Sequence, residues 1–243
     1  MIARKAAMRL LPLLGLGLAA VLGARLAAAD TADLKELVGP YLKARDERAV
    51  GEVAGRAYGD PPRPSLADVP RVGVSVLLFP YSVAFESELD GIKEHLRDSL
   101  NSYMTAAADV TSARIGYEES LTFAGGGELI RGEVSDAKGL VKLVGVPAGE
   151  WLLLAWLEDP HPSRPAMMKS KETKGFKDIP VSAGYTLITF WWTRVQVRAG
   201  ETTSVELNDR NAWMTAVREN ILLMQAGPRS TTSSPNTSPA RRR

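Results

Sequence analysis

The sequence predicts a mainly β protein, a seven-stranded β-sandwich that carries an inserted amphipathic helix and a C-terminal helix. Three observations point there. Short runs of alternating apolar residues recur, separated by turns rich in Gly, Pro and Asp. One stripe between the second and third runs repeats at helical spacing. Two strands are apolar on both faces, and antiparallel strands of that kind need cover on both sides. The chain has 243 residues, of which 45 % are apolar and 24 % charged. That balance excludes a wholly disordered chain, a collagen and a coiled coil.

Residues 1–29 read as a secretory signal peptide. Arg4, Lys5 and Arg9 give a positive start, and Leu10 to Gly23 is an apolar run of 14 residues, short for a membrane span. The small residues Ala27, Ala28 and Ala29 follow, so cleavage is expected after Ala29, giving a periplasmic or secreted protein. Contact with a membrane is expected only if this segment stays uncleaved as an anchor. The chain has no cysteine, which excludes a disulfide framework, a thiolate metal site and a lipoprotein. The 30 basic residues exceed the 28 acidic ones, but eight of them lie in the two ends (residues 1–29 and 227–243), where there is no acid. The body therefore holds 22 basic against 28 acidic residues, and a folded nucleic-acid-binding surface is not expected.

Residues 30–49 form an N-terminal helical segment, with Leu34, Leu37, Val38, Tyr41 and Leu42 on one stripe and Pro40 expected to interrupt it. The sandwich is expected over 50–226. Val50 to Tyr58 is its first strand and Val72 to Phe79 its second, with Val72, Val74, Val76 and Leu78 on one face. An insertion over 81–127 follows. Within it Leu89, Ile92, Leu96, Leu100, Tyr103 and Ala107 make a single helical stripe, expected to cover the sheet face carrying Ile188, Phe190 and Trp192. Glu128 to Val134 and Leu140 to Val146 are strands joined by a Ser135–Gly139 hairpin turn, where Asp136 closes the turn and Gly139 tolerates positive φ. Trp151 to Glu158 follows, with Trp151, Leu153 and Leu157 opposite Leu152, Leu154 and Trp156. Asp159 to Ala183 reads as a long loop. Tyr185 to Arg198 is a strand that turns at Ala199–Thr202 into Thr203 to Leu207. Trp213, Val217, Ile221 and Met224 mark the expected last helix, and 227–243 reads as a disordered tail.

The run from Gly132 to Leu153 (a strand, the Asp136-x-x-Gly139 turn, a strand ending before Pro147-Ala148-Gly149, then Trp151) resembles the carboxypeptidase regulatory-like domain. Val53–Ala57, Val72–Leu78 and the segment Val195–Leu207 are similar to that family's first two strands and last hairpin. The resemblance implies a transthyretin-like, Ig-like sandwich, usually without catalytic activity. It speaks for fold rather than function.

Catalytic chemistry finds little support. His95 falls on the solvent side of the inserted helix, His161 lies in a Pro-flanked loop, and nothing pairs them as ligands. No phosphate loop or nucleophile elbow occurs. The expectation is no catalytic residue, no cofactor and no metal. A possible ligand site combines Trp156 with His161, Arg164, Lys169 and Lys171 of the long loop. The leading reading is a non-enzymatic exported domain that binds a protein or an envelope component, the partner being unknown. The alternative is a small-molecule or carbohydrate-binding accessory module that uses the aromatic strands. A hydrolase of an unrecognised type is the third.

Overall fold

In a computed structural model the chain is described over residues 33–61, 63, 67–164 and 178–225. The signal segment, the tail from 227, and Lys169 and Lys171 lie outside the described residues. A helix α1 spans 33–46. It is followed by β1 (Val50–Gly59), β2 (Val69–Pro70), β3 (Ser75–Pro80), α2 (Val83–His95) and α3 (Leu100–Phe123). After a short 3-10 turn at Gly127–Leu129 come β4 (Arg131–Val134), β5 (Leu140–Pro147), β6 (Gly149–Pro162), β7 (Asp178–Val197), β8 (Thr202–Leu207) and β9 (Met214–Gln225).

The protein is mainly β, a sandwich of two sheets with three helices among the described residues. In the smaller sheet β1 pairs antiparallel with β2 and β5 and parallel with β8. The larger sheet has the order β4-β3-β6-β7-β9. The described residues divide into two compact units, one within 33–159 and 187–218, the other within 160–164, 178–186 and 219–225. The first holds most of the fold. In the second, His161 stacks on Tyr185 with ring centroids 4.8 Å apart, and Thr186 Oγ1 donates to Asn220 Oδ1 at 3.1 Å.

Several expectations are corrected. Among the described residues there are nine strands rather than seven, the additions being β2 and β9. The expected C-terminal helix is β9. Its residues Trp213, Val217, Ile221 and Met224 fit a helical spacing, but Met214 and Ala216 are buried while Thr215 is exposed, an alternation only a strand gives. The Ser135–Gly139 turn does not close a hairpin. It carries the chain from β4 in the larger sheet to β5 in the smaller one, as does the Pro147–Gly149 corner to β6 in the opposite direction, and Ala199–Glu201 links β7 to β8 across the sheets. The turn chemistry is nonetheless as read. Asp136 Oδ1 accepts from the amides of Lys138 and Leu140, both at 2.8 Å, and Gly139 has φ +72°. Pro40 does not interrupt α1, which continues to 46; the helix forgoes one hydrogen bond there and keeps Val38 and Tyr41 buried. The expected loop over 159–183 is strand at both ends, because β6 runs on to Pro162 and β7 starts at Asp178; residues 165–177 lie outside the described residues.

The inserted helix is two helices. Ser99 caps α3, its Oγ accepting from Ser102 N at 3.0 Å, so the stripe breaks after Leu96 and Leu100 is exposed. Both helices cover the larger sheet. Phe79 of β3 meets Phe85 of α2 and Tyr117 of α3 edge-on, each at 5.8 Å. Ile188 and Phe190 are buried as expected, in one apolar cluster with Leu89 of α2 and Ala107 and Val110 of α3.

Candidate functional site

The register of β3 against β6 sorts the larger sheet into two faces. Trp151, Leu153 and Ala155 pair with Pro80, Leu78 and Val76, whereas Leu152, Leu154 and Trp156 pair with Phe79, Leu77 and Ser75. The second set lies under the helices, where Phe79 touches Phe85 and Tyr117. Three rings lock this layer: Phe85 stacks on Tyr117 with centroids 4.3 Å apart, and the Tyr117 hydroxyl donates to the Pro80 carbonyl at 2.8 Å. Burial pushes the Tyr117 phenol far above its ordinary range, so it serves as a neutral donor and not as a base.

A charged clamp holds α2 on the sheet. Arg194 of β7 donates from Nε and Nη2 to the two carboxylate oxygens of Glu86 at 3.1 and 2.5 Å, and its guanidinium lies 4.4 Å from the centre of the Tyr81 ring. The Tyr81 hydroxyl donates to Glu86 Oε2 at 2.5 Å. Desolvation acts to raise the Glu86 carboxyl, but the hydrogen bonds from Tyr81 and Arg194 outweigh it and hold the group below its ordinary value.

Where the helix layer leaves Trp156 half-buried, a cavity of about 160 Å³ opens. Val110, Leu154, Ile188 and Phe190 form its apolar lining, Trp156 gives an aromatic wall, and Thr111, Arg114, Glu158 and Arg218 form the polar part. Arg114 sits 5.5 Å from the Trp156 ring centre and donates to Glu118 one turn on at 2.5 Å. Arg218 clasps Glu158 through two nitrogens at 3.3 and 2.6 Å. Each charge in this pocket is thus held by an opposite charge, and no nucleophile stands beside a base among its described residues. Fixed guanidinium and carboxylate groups beside an indole face suit binding, through stacking on the ring and directed hydrogen bonds.

Of the residues expected to form a ligand site, Trp156 does line a pocket, but His161 and Arg164 are not among its walls. They belong to the second unit. Arg114, Glu158 and Arg218 were not foreseen. The Arg114–Glu118 spacing of four on a helix carries an ion-pair signal; the pairing of Arg218 with Glu158 depends on β9 being a strand, and no local pattern announces it. Among the described residues, no three His, Asp or Glu side chains gather in a way that could hold a metal ion.

No protein-family model matches the chain, and no curated protein matches it in sequence. Three solved structures are similar. One, a Pseudomonas aeruginosa protein provisionally described as carbohydrate-binding, is 15 % identical with a TM-score of 0.36, over 66 % of this chain and 88 % of its own. A minor pilin of Streptococcus agalactiae is 11 % identical with a TM-score of 0.27, over 71 % of this chain and 45 % of its own. The pilus backbone protein of Streptococcus pneumoniae is 12 % identical with a TM-score of 0.23, over 64 % and 41 %. This chain therefore spans less than half of either pilus protein. At such TM-scores none of the three carries a function over to it.

Proposed function

We propose that the chain is an exported, non-enzymatic β-sandwich binding module of the transthyretin-like, carboxypeptidase regulatory-like kind, and that it holds a small polar ring, such as one sugar residue of a larger ligand, against Trp156. The half-buried indole at the edge of a cavity with one apolar and one charged side carries this reading. An indole left partly open beside fixed Arg and Glu groups offers one apolar and one hydrogen-bonding side to the same ring. The volume of about 160 Å³ is below that of sites that enclose a drug-sized ligand, so it suits a single ring. The charged start and apolar run of residues 1–29 support export, and the self-neutralised charges of the pocket support binding over catalysis.

Isothermal titration with a panel of monosaccharides and short glycans tests the reading. At least one is expected to bind, and Trp156→Ala to abolish that binding while the fold is kept. Binding that survives Trp156→Ala unchanged would move the ligand elsewhere.

A second reading, a protein or envelope partner, is supported by β9. It is the last strand of the larger sheet, and its residues Ile221, Leu222, Leu223 and Met224 are all exposed. An exposed apolar edge strand invites pairing with another chain. Crosslinking at position 222 in envelope extracts, set against the sugar panel, separates the two readings.

A further inference from the structure

We infer a second ligand site, separate from the Trp156 pocket, that takes a carboxylate borne on a ring: a cavity of about 450 Å³ where the end of α2 and the start of α3 face the chain entering β9. Trp213 and Tyr103 supply its aromatic surface, and Lys93 and Arg97 its cations. Lys93 Nζ lies 5.7 Å from the Trp213 ring centre. Trp213 in turn meets Trp192 edge-on, at 6.4 Å and 74°, and its amide is fixed by a 2.8 Å hydrogen bond to the Phe190 carbonyl. The aromatic wall is therefore anchored to the sheet.

The charges differ from those of the Trp156 pocket. There every cation is clasped by an acid. Here neither Lys93 nor Arg97 has an acidic partner within salt-bridge distance among the described residues, while the neighbouring His95 does, in Asp98. Glu94 also lines the cavity, which leaves one net positive charge. An anchored indole with Lys93 over it and a second unpaired cation, Arg97, in the same lining is complementary to a flat or apolar ring face that carries an anion. The volume accommodates one such ring with its carboxylate. Two sources share this chemistry, a uronic acid and an aromatic carboxylate.

The test uses the full chain and the side-chain indole N–H signals in a two-dimensional nitrogen–proton spectrum, with Trp213 assigned through Trp213→Phe. Glucuronate, benzoate and glucose are titrated separately. The Trp213 signal is expected to move with an anionic ligand at a dissociation constant of about 1 mM, typical of one ring on an open site, and not with glucose. Movement with glucuronate alone assigns a uronic acid, and movement with benzoate alone an aromatic acid. The double variant Lys93→Ala, Arg97→Ala changes only exposed side chains and is expected to weaken binding by roughly fivefold or more, from loss of two partly screened charges. Arg114→Ala, in the other pocket, is expected to leave it unchanged. Equal movement with glucose, no movement with either acid, or an unaltered affinity in the double variant would overturn the inference.

Discussion

The two faces of the larger sheet use tryptophan in opposite ways. β6 and β7 each give one tryptophan to either face: Trp151 and Trp191 on one, Trp156 and Trp192 on the other, as their alternation requires. On the face away from α2 and α3, where Tyr41 of α1 meets Trp151 edge-on at 5.0 Å, both indoles are closed off and their N–H groups are used. Trp151 Nε1 donates to the Pro147 carbonyl at 2.9 Å, and Trp191 Nε1 to the Asn208 carbonyl at 2.7 Å. On the helix face, Trp156 and Trp192 remain half-buried and each borders a site: Trp156 under Arg114, Trp192 behind Trp213 and Lys93. The Trp192 indole nitrogen is buried without a hydrogen-bond partner among the described residues. One face is thus finished as a core, whereas the helices leave openings at the edges of the other.

This contrast can be broken most strongly on the finished face. Trp191→Ala is expected to destabilise the fold by about 3–5 kcal/mol, as large aromatic truncations in a core do. Denaturant titration would show it, and a loss under about 1 kcal/mol would mean that this face is not the core. Next comes the helix layer. Leu89→Ala, at a fully buried position of α2, is expected to cost about 2–5 kcal/mol, against a change within about 0.5 kcal/mol for the exposed Glu94→Ala. Equal small effects would show that the helices are not docked.

Gly139→Ala probes the turn that passes from sheet to sheet. At φ +72° an added Cβ would also lie 2.2 Å from the Ala57 carbonyl oxygen. The expected loss exceeds about 1 kcal/mol, read as a lower thermal midpoint.

The clamp on α2 gives a pH dependence of smaller size. The Glu86 carboxyl is held below its ordinary value of 4.5. A group depressed in the folded state contributes stability that is complete above the unfolded value and disappears as pH falls through the folded one. Acid unfolding of Arg194→Gln is therefore expected to lose less stability below pH 4.5 than that of the parent chain, since part of what acid removes is already gone. Parallel curves would show that Arg194 does not tune Glu86. Trp156→Ala should cost well under the loss for Trp191→Ala, because a half-exposed side chain surrenders less buried area.

Much of this contrast is written in local sequence. The opposed placement of Trp151 and Trp156, and of Trp191 and Trp192, follows from period-two alternation alone. The Asp136–Gly139 turn is legible because only certain residues satisfy its amides and its positive φ. Which sheet each turn leads to is not legible: Asp136 and Gly139 would serve a hairpin equally well, and the partner of β5 is β1, some 90 residues earlier. The break between α2 and α3 had a signal in Ser99, a good cap, but the apolar stripe ran straight through it. β9 is not legible as a strand because Trp213, Val217 and Ile221 satisfy two periods at once, and only the short alternation of buried Met214 and Ala216 separates them. The binding residues were least visible. Arg114 meets Trp156, Arg218 meets Glu158 and Lys93 meets Trp213 only through long-range pairing, whereas the basic loop with Lys169 and Lys171 drew attention by composition alone.

The most direct test of the two-faced sheet follows all five tryptophan indoles in one spectrum. The exchange of each N–H with solvent deuterium is recorded, and then its shift on adding ligand. Trp151 and Trp191, buried and hydrogen-bonded, are expected to exchange slowest, at rates set by global unfolding, and to stay unshifted with every ligand. Trp156 and Trp213 are expected to exchange early and to be the signals that ligands move. Trp151 or Trp191 exchanging as fast as Trp156, or shifting first on titration, would contradict the division of the sheet into a core face and a binding face.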